Sequence, residues 1–125
     1  DGGIADSIPV GQAMQDGWEK QVIVLTQNKG YVKKPNKLMP LIRLRYRRYP
    51  ALCHTMQQRH IDYNRSLQAA QQLEQQGKAV IIQPSQPMVL HRVEKDVDKL
   101  QAAYENGYSD AAAAWERIQR LFEQE

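Results

Sequence analysis

The residues able to do chemistry fall into a few groups. Asp1 stands at the head of Asp1-Gly2-Gly3. Two glycines give the backbone access to positive φ and let another segment approach closely, so the tripeptide reads as a sharp turn presenting a carboxylate. Taken alone, Asp before Gly is a common turn pair. Asp6 and Ser7 read as caps for a helix begun by Pro9. The histidines His54, His60 and His91 make no ligand set. His54 and His60 are six residues apart and do not share a helix face as an i, i+4 pair would. No Asp or Glu completes a metal set at a recognisable spacing, so neither metal nor cofactor is expected. Cys53 and His54 point to different sides of a helix, which argues against a thiol–imidazole pair. Arg59, Asp62, Tyr63 and Asn64 form a polar cluster able to hydrogen-bond to neighbouring loops.

A second feature is the basic stretch from Lys29 to Arg48. It carries Lys29, Lys33, Lys34, Lys37, Arg43, Arg45, Arg47 and Arg48, interleaved with Tyr31, Tyr46 and Tyr49 and without an acidic residue. One reading is a surface for anionic lipid headgroups, with Lys33, Lys34, Arg43, Arg45, Arg47 and Arg48 as contacts. The other is a solvated face whose arginine stems cover apolar neighbours. The net charge of +3 is small, and no binding motif accompanies the patch, so nucleic acid is not an expected partner.

These residues must be positioned by a succession of helices and strands. Ser7 to Gly17 is predicted as a short helix with Val10, Ala13 and Met14 on its inner side, Trp18 capping the packing. Gln21–Thr26 is β-branched and apolar without alternation, the pattern of a strand buried on both faces. Asn28-Lys29-Gly30 is a turn. Pro40 starts a helix to Tyr49 with Leu41 and Leu44 inside. After Pro50, residues 51–76 read as a long helix with Leu52, Met56, Tyr63, Leu67 and Ala70 on one face, closed by Gly77. Residues 78–83 form a second apolar strand, stopped by Pro84 and Pro87. Strand, long helical connection and strand predict a parallel, right-handed crossover. Val93 to Asn106 is expected as a helix with Val93, Val97, Leu100 and Tyr104 inside and Gly107 as its stop. Ser109 then caps a last helix, helped by Asp110, with Ala111, Trp115, Ile118 and Phe122 as the inner stripe. The two helices would form a hairpin.

Asp1-Gly2-Gly3, Ile8-Pro9-Val10, Gly17 and the strand Gln21–Thr26 together resemble the second half of a patatin-like phospholipase domain. The resemblance, to a bacterial subgroup, continues through Leu25-Thr26, Gly30-Tyr31, Lys34-Pro35, Arg59, Tyr63-Asn64 and Ile82-Gln83-Pro84 and covers nearly all of the chain. It implies the C-terminal portion of an α/β/α fold with short parallel strands and a helical extension. It divides the chain into residues 1–37, the end of the catalytic core, and 38–125, the crossover, last strand and helical hairpin. It makes Asp1 half of a Ser–Asp catalytic dyad and Gly2 and Gly3 its backbone setting, acting on phospholipid or another acyl ester. The family's serine in Gly-x-Ser-x-Gly has no counterpart: none of Ser7, Ser66, Ser85 and Ser109 has glycines two residues away on both sides. The chain is therefore expected to be inactive alone, with a frayed Asp1. The contrasting expectation is a non-enzymatic basic helical module that binds anionic membranes or a partner protein.

The bulk properties fit one domain or a large piece of one. The single cysteine, Cys53, excludes an internal disulfide. The expected location is the cytoplasm, with peripheral contact at a membrane. A parallel sheet cut at a buried strand exposes an edge, so the isolated chain is expected to self-associate.

Overall fold

In a computed structural model of the chain, residues 2–88, 90–91 and 93–123 are described. It is helix-rich mixed α/β, with seven elements among the described residues: α1 (Gly2–Ala5), α2 (Val10–Gln15), β1 (Gln21–Val24), α3 (Met39–Arg45), α4 (Pro50–Gln75), β2 (Ala79–Ile82) and α5 (Val97–Glu123). They form two compact units. One holds residues 1–18 and 32–70; the other holds 19–31 and 71–125. Each draws residues from both sides of the boundary expected at 37/38.

In the first unit, α2 is shorter than expected. Pro9 precedes it as N-cap residue, and its carbonyl accepts the Ala13 N–H at 3.0 Å. Neither Asp6 nor Ser7 caps this helix. The Asp6 carboxylate accepts the Ile8 N–H at 3.3 Å, and the Ser7 hydroxyl turns back to α1. Gly17, at φ 90°, ends it: the Gly17 N–H reaches Met14 O at 3.1 Å and the Trp18 N–H reaches Ala13 O at 3.0 Å. That paired closure needs a left-handed residue, which glycine supplies without steric cost. Val10 is buried, whereas Met14 and Trp18 are exposed. In α4, Cys53, Tyr63 and Ala70 are buried, and Leu52, Met56 and Leu67 are half-buried as the periodicity predicts. α3 departs from expectation. Leu41 and Leu44 are 64% and 69% exposed, because this short helix buries none of its residues.

In the second unit, β1 and β2 pair in parallel, Gln21 opposite Ala79 through Val24 opposite Ile82. Flanking bonds extend the ladder, from the Gln21 N–H to Lys78 O at 3.0 Å and from the Leu25 N–H to Ile82 O at 2.8 Å. β1 is not buried on both faces. It alternates, with Ile23 buried and Val22 and Val24 exposed. Gly77, at φ 72°, turns the end of α4 into β2 with the same paired closure as Gly17: the Lys78 N–H to Leu73 O and the Gly77 N–H to Glu74 O. α5 packs on β2 through Val80, Ala114 and Leu121, with Ile82 and Ile118 partly buried alongside. Glu74 Oε1 accepts the Ile81 N–H at 3.1 Å and pairs with Arg117 at 3.3 Å, and Arg117 donates to Ile81 O at 3.4 Å.

The expected hairpin is one continuous helix. α5 runs through Gly107, and Ser109 and Asp110 lie inside it. A glycine within a helix costs about 1 kcal/mol relative to Ala, which the strong helix formers around it outweigh. The start is set by Asp96, whose carboxylate accepts the N–H groups of Asp98 and Lys99 at 3.1 and 3.3 Å. The buried stripe is also rotated. Ala114 and Leu121 face the core, while Trp115, Phe122, Val97 and Tyr104 are more than half exposed and Leu100 is 44% exposed. Val93 precedes the helix and is exposed too.

Candidate functional site

Asp1 lies outside the described residues, so its setting is built from the residues next to it in the chain. Gly2 and Gly3 do not form an open turn with positive φ; they are the first residues of the helical turn α1. A Cβ at Gly2 would meet nothing within 4 Å, so no close approach requires this glycine. The organising atom is the Gly3 carbonyl oxygen. It accepts the Ser7 hydroxyl at 2.6 Å and the Arg59 Nε–H at 2.8 Å. Arg59 reaches it from the middle of α4, 56 residues away in sequence.

One helical turn further along α4, Asn64 mimics a peptide group. Its Oδ1 accepts the Lys33 N–H at 2.9 Å and its Nδ2 donates to Lys33 O at 3.0 Å, so an extended segment is held along the helix by one side chain. The Lys33 ammonium sits 4.5 Å from the centre of the buried Tyr63 ring. Partial burial first, and then the positive charge of Arg59, lower the pKa of Lys33 from its ordinary 10.5. Arg59 thus brings a cation to α1, and Lys33 lies within its electrostatic reach. Such a pair favours an anion within reach. The polar cluster expected around Arg59 does bond to neighbouring segments through Arg59 and Asn64. Asp62 instead pairs with Arg65 at 3.8 Å on the surface.

The six basic residues expected as lipid contacts are not brought together as one group. Lys33 is over Tyr63, two to three turns beyond Cys53 along α4, a distance of about 15 Å. Lys34 is exposed. Arg45, Arg47 and Arg48 surround an open hollow of about 760 Å³ with Leu41, Leu44 and Tyr49. Arg43 hydrogen-bonds Gln57, and with Arg47, Pro50, Cys53 and His54 these two residues border a second hollow of about 330 Å³. The buried Cys53 thiol donates to Tyr46 O at 3.5 Å, and His54 is exposed, so the two do not act as a pair. His60 Nδ1 lies 3.0 Å from Gln57 O. Among the described residues, no group of three His, Cys, Asp or Glu side chains is placed to hold a metal ion. No helix among them is long and apolar enough to cross a membrane.

What sequence reasoning missed is the partner of Arg59, the Gly3 carbonyl. That backbone group is far away in sequence, and no local spacing signals such a bond.

Compared with known families, residues 49–123 match DUF6363, described as a domain of unknown function. The match covers α4, β2 and α5 and therefore Arg59, Tyr63 and Asn64; Asp1, α1 and α3 precede it in sequence. No curated protein and no solved structure matches the chain.

Proposed function

The chain belongs to the DUF6363 family; we propose, from the residues of its own sequence and the geometry around Gly3, that it is the C-terminal part of a patatin-like serine acyl hydrolase. In this reading Asp1 is the dyad aspartate, and the substrate is a phospholipid or another lipid ester. A serine in the segment preceding Asp1 attacks the acyl carbonyl, and Asp1 takes its hydroxyl proton. That proton leaves with the alcohol, and water then releases the acyl group from the serine. The chain alone carries no such serine and is inactive alone.

The observation that carries this reading is the doubly bonded Gly3 carbonyl. A carboxylate is a weak base towards a hydroxyl and works only under close positional control. Ser7 and Arg59 impose that control on the peptide two residues after Asp1. The Arg59 guanidinium at the Gly3 carbonyl favours the ionised form of any carboxylate within its reach, the form that accepts a proton. The parallel β1–β2 pair joined by a long helical connection suits the edge of an α/β/α sheet.

The test is hydrolysis of a short p-nitrophenyl ester and of phospholipid vesicles by the full-length gene product. Asp1→Asn is expected to lower kcat on the order of 10⁶-fold, as loss of the base that deprotonates the serine does in a serine protease. A full-length product without esterase activity, or an Asn variant as active as the parent, would sink the reading. The exposed Leu41 and Leu44 beside the arginines favour one other reading, a non-enzymatic basic module. In that case changing Arg43, Arg45, Arg47 and Arg48 to Gln together abolishes function and Asp1→Asn does not.

A further inference from the structure

We propose that the surface formed by α3 and the residues leading into α4 docks the protein on an anionic lipid bilayer. This deepens the lipid-ester reading, and rests on it only for what the docked protein then does. Leu38, Leu41, Leu44 and Tyr49 are each at least 60% exposed. Leu41, Leu44 and Tyr49 share one open hollow with Arg45, Arg47 and Arg48. Apolar side chains and arginines mixed on one exposed surface suit the boundary between headgroups and acyl chains. There the leucines and the tyrosine ring leave water while the guanidinium groups stay with the phosphates.

The charge pattern identifies the occupant. From Lys20 to Ile61 the chain carries no acidic residue. A surface of one sign, without the interspersed carboxylates of an ordinary wet face, is complementary to an anionic sheet of lipid. Tyr49 and Arg45 add to this character, Tyr49 as an interfacial aromatic and Arg45 by lying 5.5 Å from the Tyr46 ring centre. A partner protein's apolar groove would explain the leucines but not four arginines in six positions, Arg43 to Arg48. A nucleic acid would explain the arginines but not the exposed leucines.

The experiment is flotation of the 125-residue chain with phosphatidylcholine vesicles containing zero, 15 and 30% phosphatidylglycerol. It reads binding and no hydrolysis, so its failure is distinguishable from failure of the hydrolase reading. Binding is expected to rise with the anionic fraction and to weaken with salt. Arg45→Gln, Arg47→Gln and Arg48→Gln combined should lower the partition coefficient about 100-fold, from the usual contribution of each basic residue at such a surface. Leu41→Ser with Leu44→Ser should lower it about tenfold at unchanged anionic fraction. Far-UV circular dichroism checks that both variants keep the parent helix content, and a variant that loses it is replaced by the single change Arg48→Gln. Equal flotation with neutral vesicles, absence of binding at 30%, or variants that bind like the parent would overturn the proposal. So would binding to a single-stranded RNA oligomer at the same salt with no flotation.

Discussion

Lys33 and Arg59 repel one another, and the protein holds them together anyway. Asn64 fixes the Lys33 backbone from both sides, and Gly3 fixes Arg59. The Tyr63 ring under the ammonium offsets part of the cost. The net effect still lowers the pKa of Lys33. The sign of the consequence is set by linkage. A lysine whose folded pKa lies below its unfolded value binds fewer protons when folded across the window between the two. Its unfavourable contribution is fully present below the lowered folded value and disappears as pH rises towards 10.5. Lys33→Met removes this titration. The parent is therefore expected to gain stability relative to the variant as pH rises through that window. Chemical denaturation of both proteins at several alkaline pH values checks it; parallel pH profiles would refute it. Little of this was legible in the sequence. Arg59 and Asn64 stood out as polar residues on a helix, but their partners are main-chain atoms 56 and 31 residues away.

The elements were legible where local chemistry decides them. α4 begins at Pro50 and ends before Gly77, both of which punctuate the sequence, and the parallel pairing of β1 with β2 follows from strand, long helix and strand. They were not legible where packing decides. Gly107 resembled a stop, but the residues on both sides of it favour helix, and one glycine does not break them. Trp115 and Phe122, at helical spacing with Ala111 and Ile118, read as a core stripe. The face that meets β2 is instead the one carrying Ala114, whose small side chain lets the helix approach Val80 closely. The real signal for the start of α5 was Asp96. Asp96→Ala is expected to cost about 1 kcal/mol by leaving the N–H groups of Asp98 and Lys99 without their cap. Urea unfolding should show a lower midpoint at an unchanged slope. A midpoint equal to that of the parent would mean the helix starts elsewhere.

For the whole molecule, the informative surface is β1. Among the described residues it pairs on one side only, with β2, and it exposes Val22 and Val24. A short parallel strand with apolar side chains in water is an invitation to another strand. The chain is expected to self-associate as concentration rises. Val24→Lys, a charge at the exposed edge, is expected to shift it towards monomer in sedimentation velocity. Concentration-independent monomer for the parent would remove the argument. That an apolar strand with few strand neighbours shows an open edge could be foreseen from the sequence. Which side chains it would show to water could not, because alternation in burial comes from the neighbour that is present and not from the strand's own composition.

The two sides of this ribbon differ. On β2, the outward peptide groups of Ile81 are already engaged, the N–H by Glu74 and the carbonyl by Arg117. A ribbon whose far margin is partly sewn at Ile81 offers its open margin first, so two copies meeting through β1 would leave the less receptive margins outermost and disfavour further growth. Had both margins been open, the same encounter would seed an endless fibre.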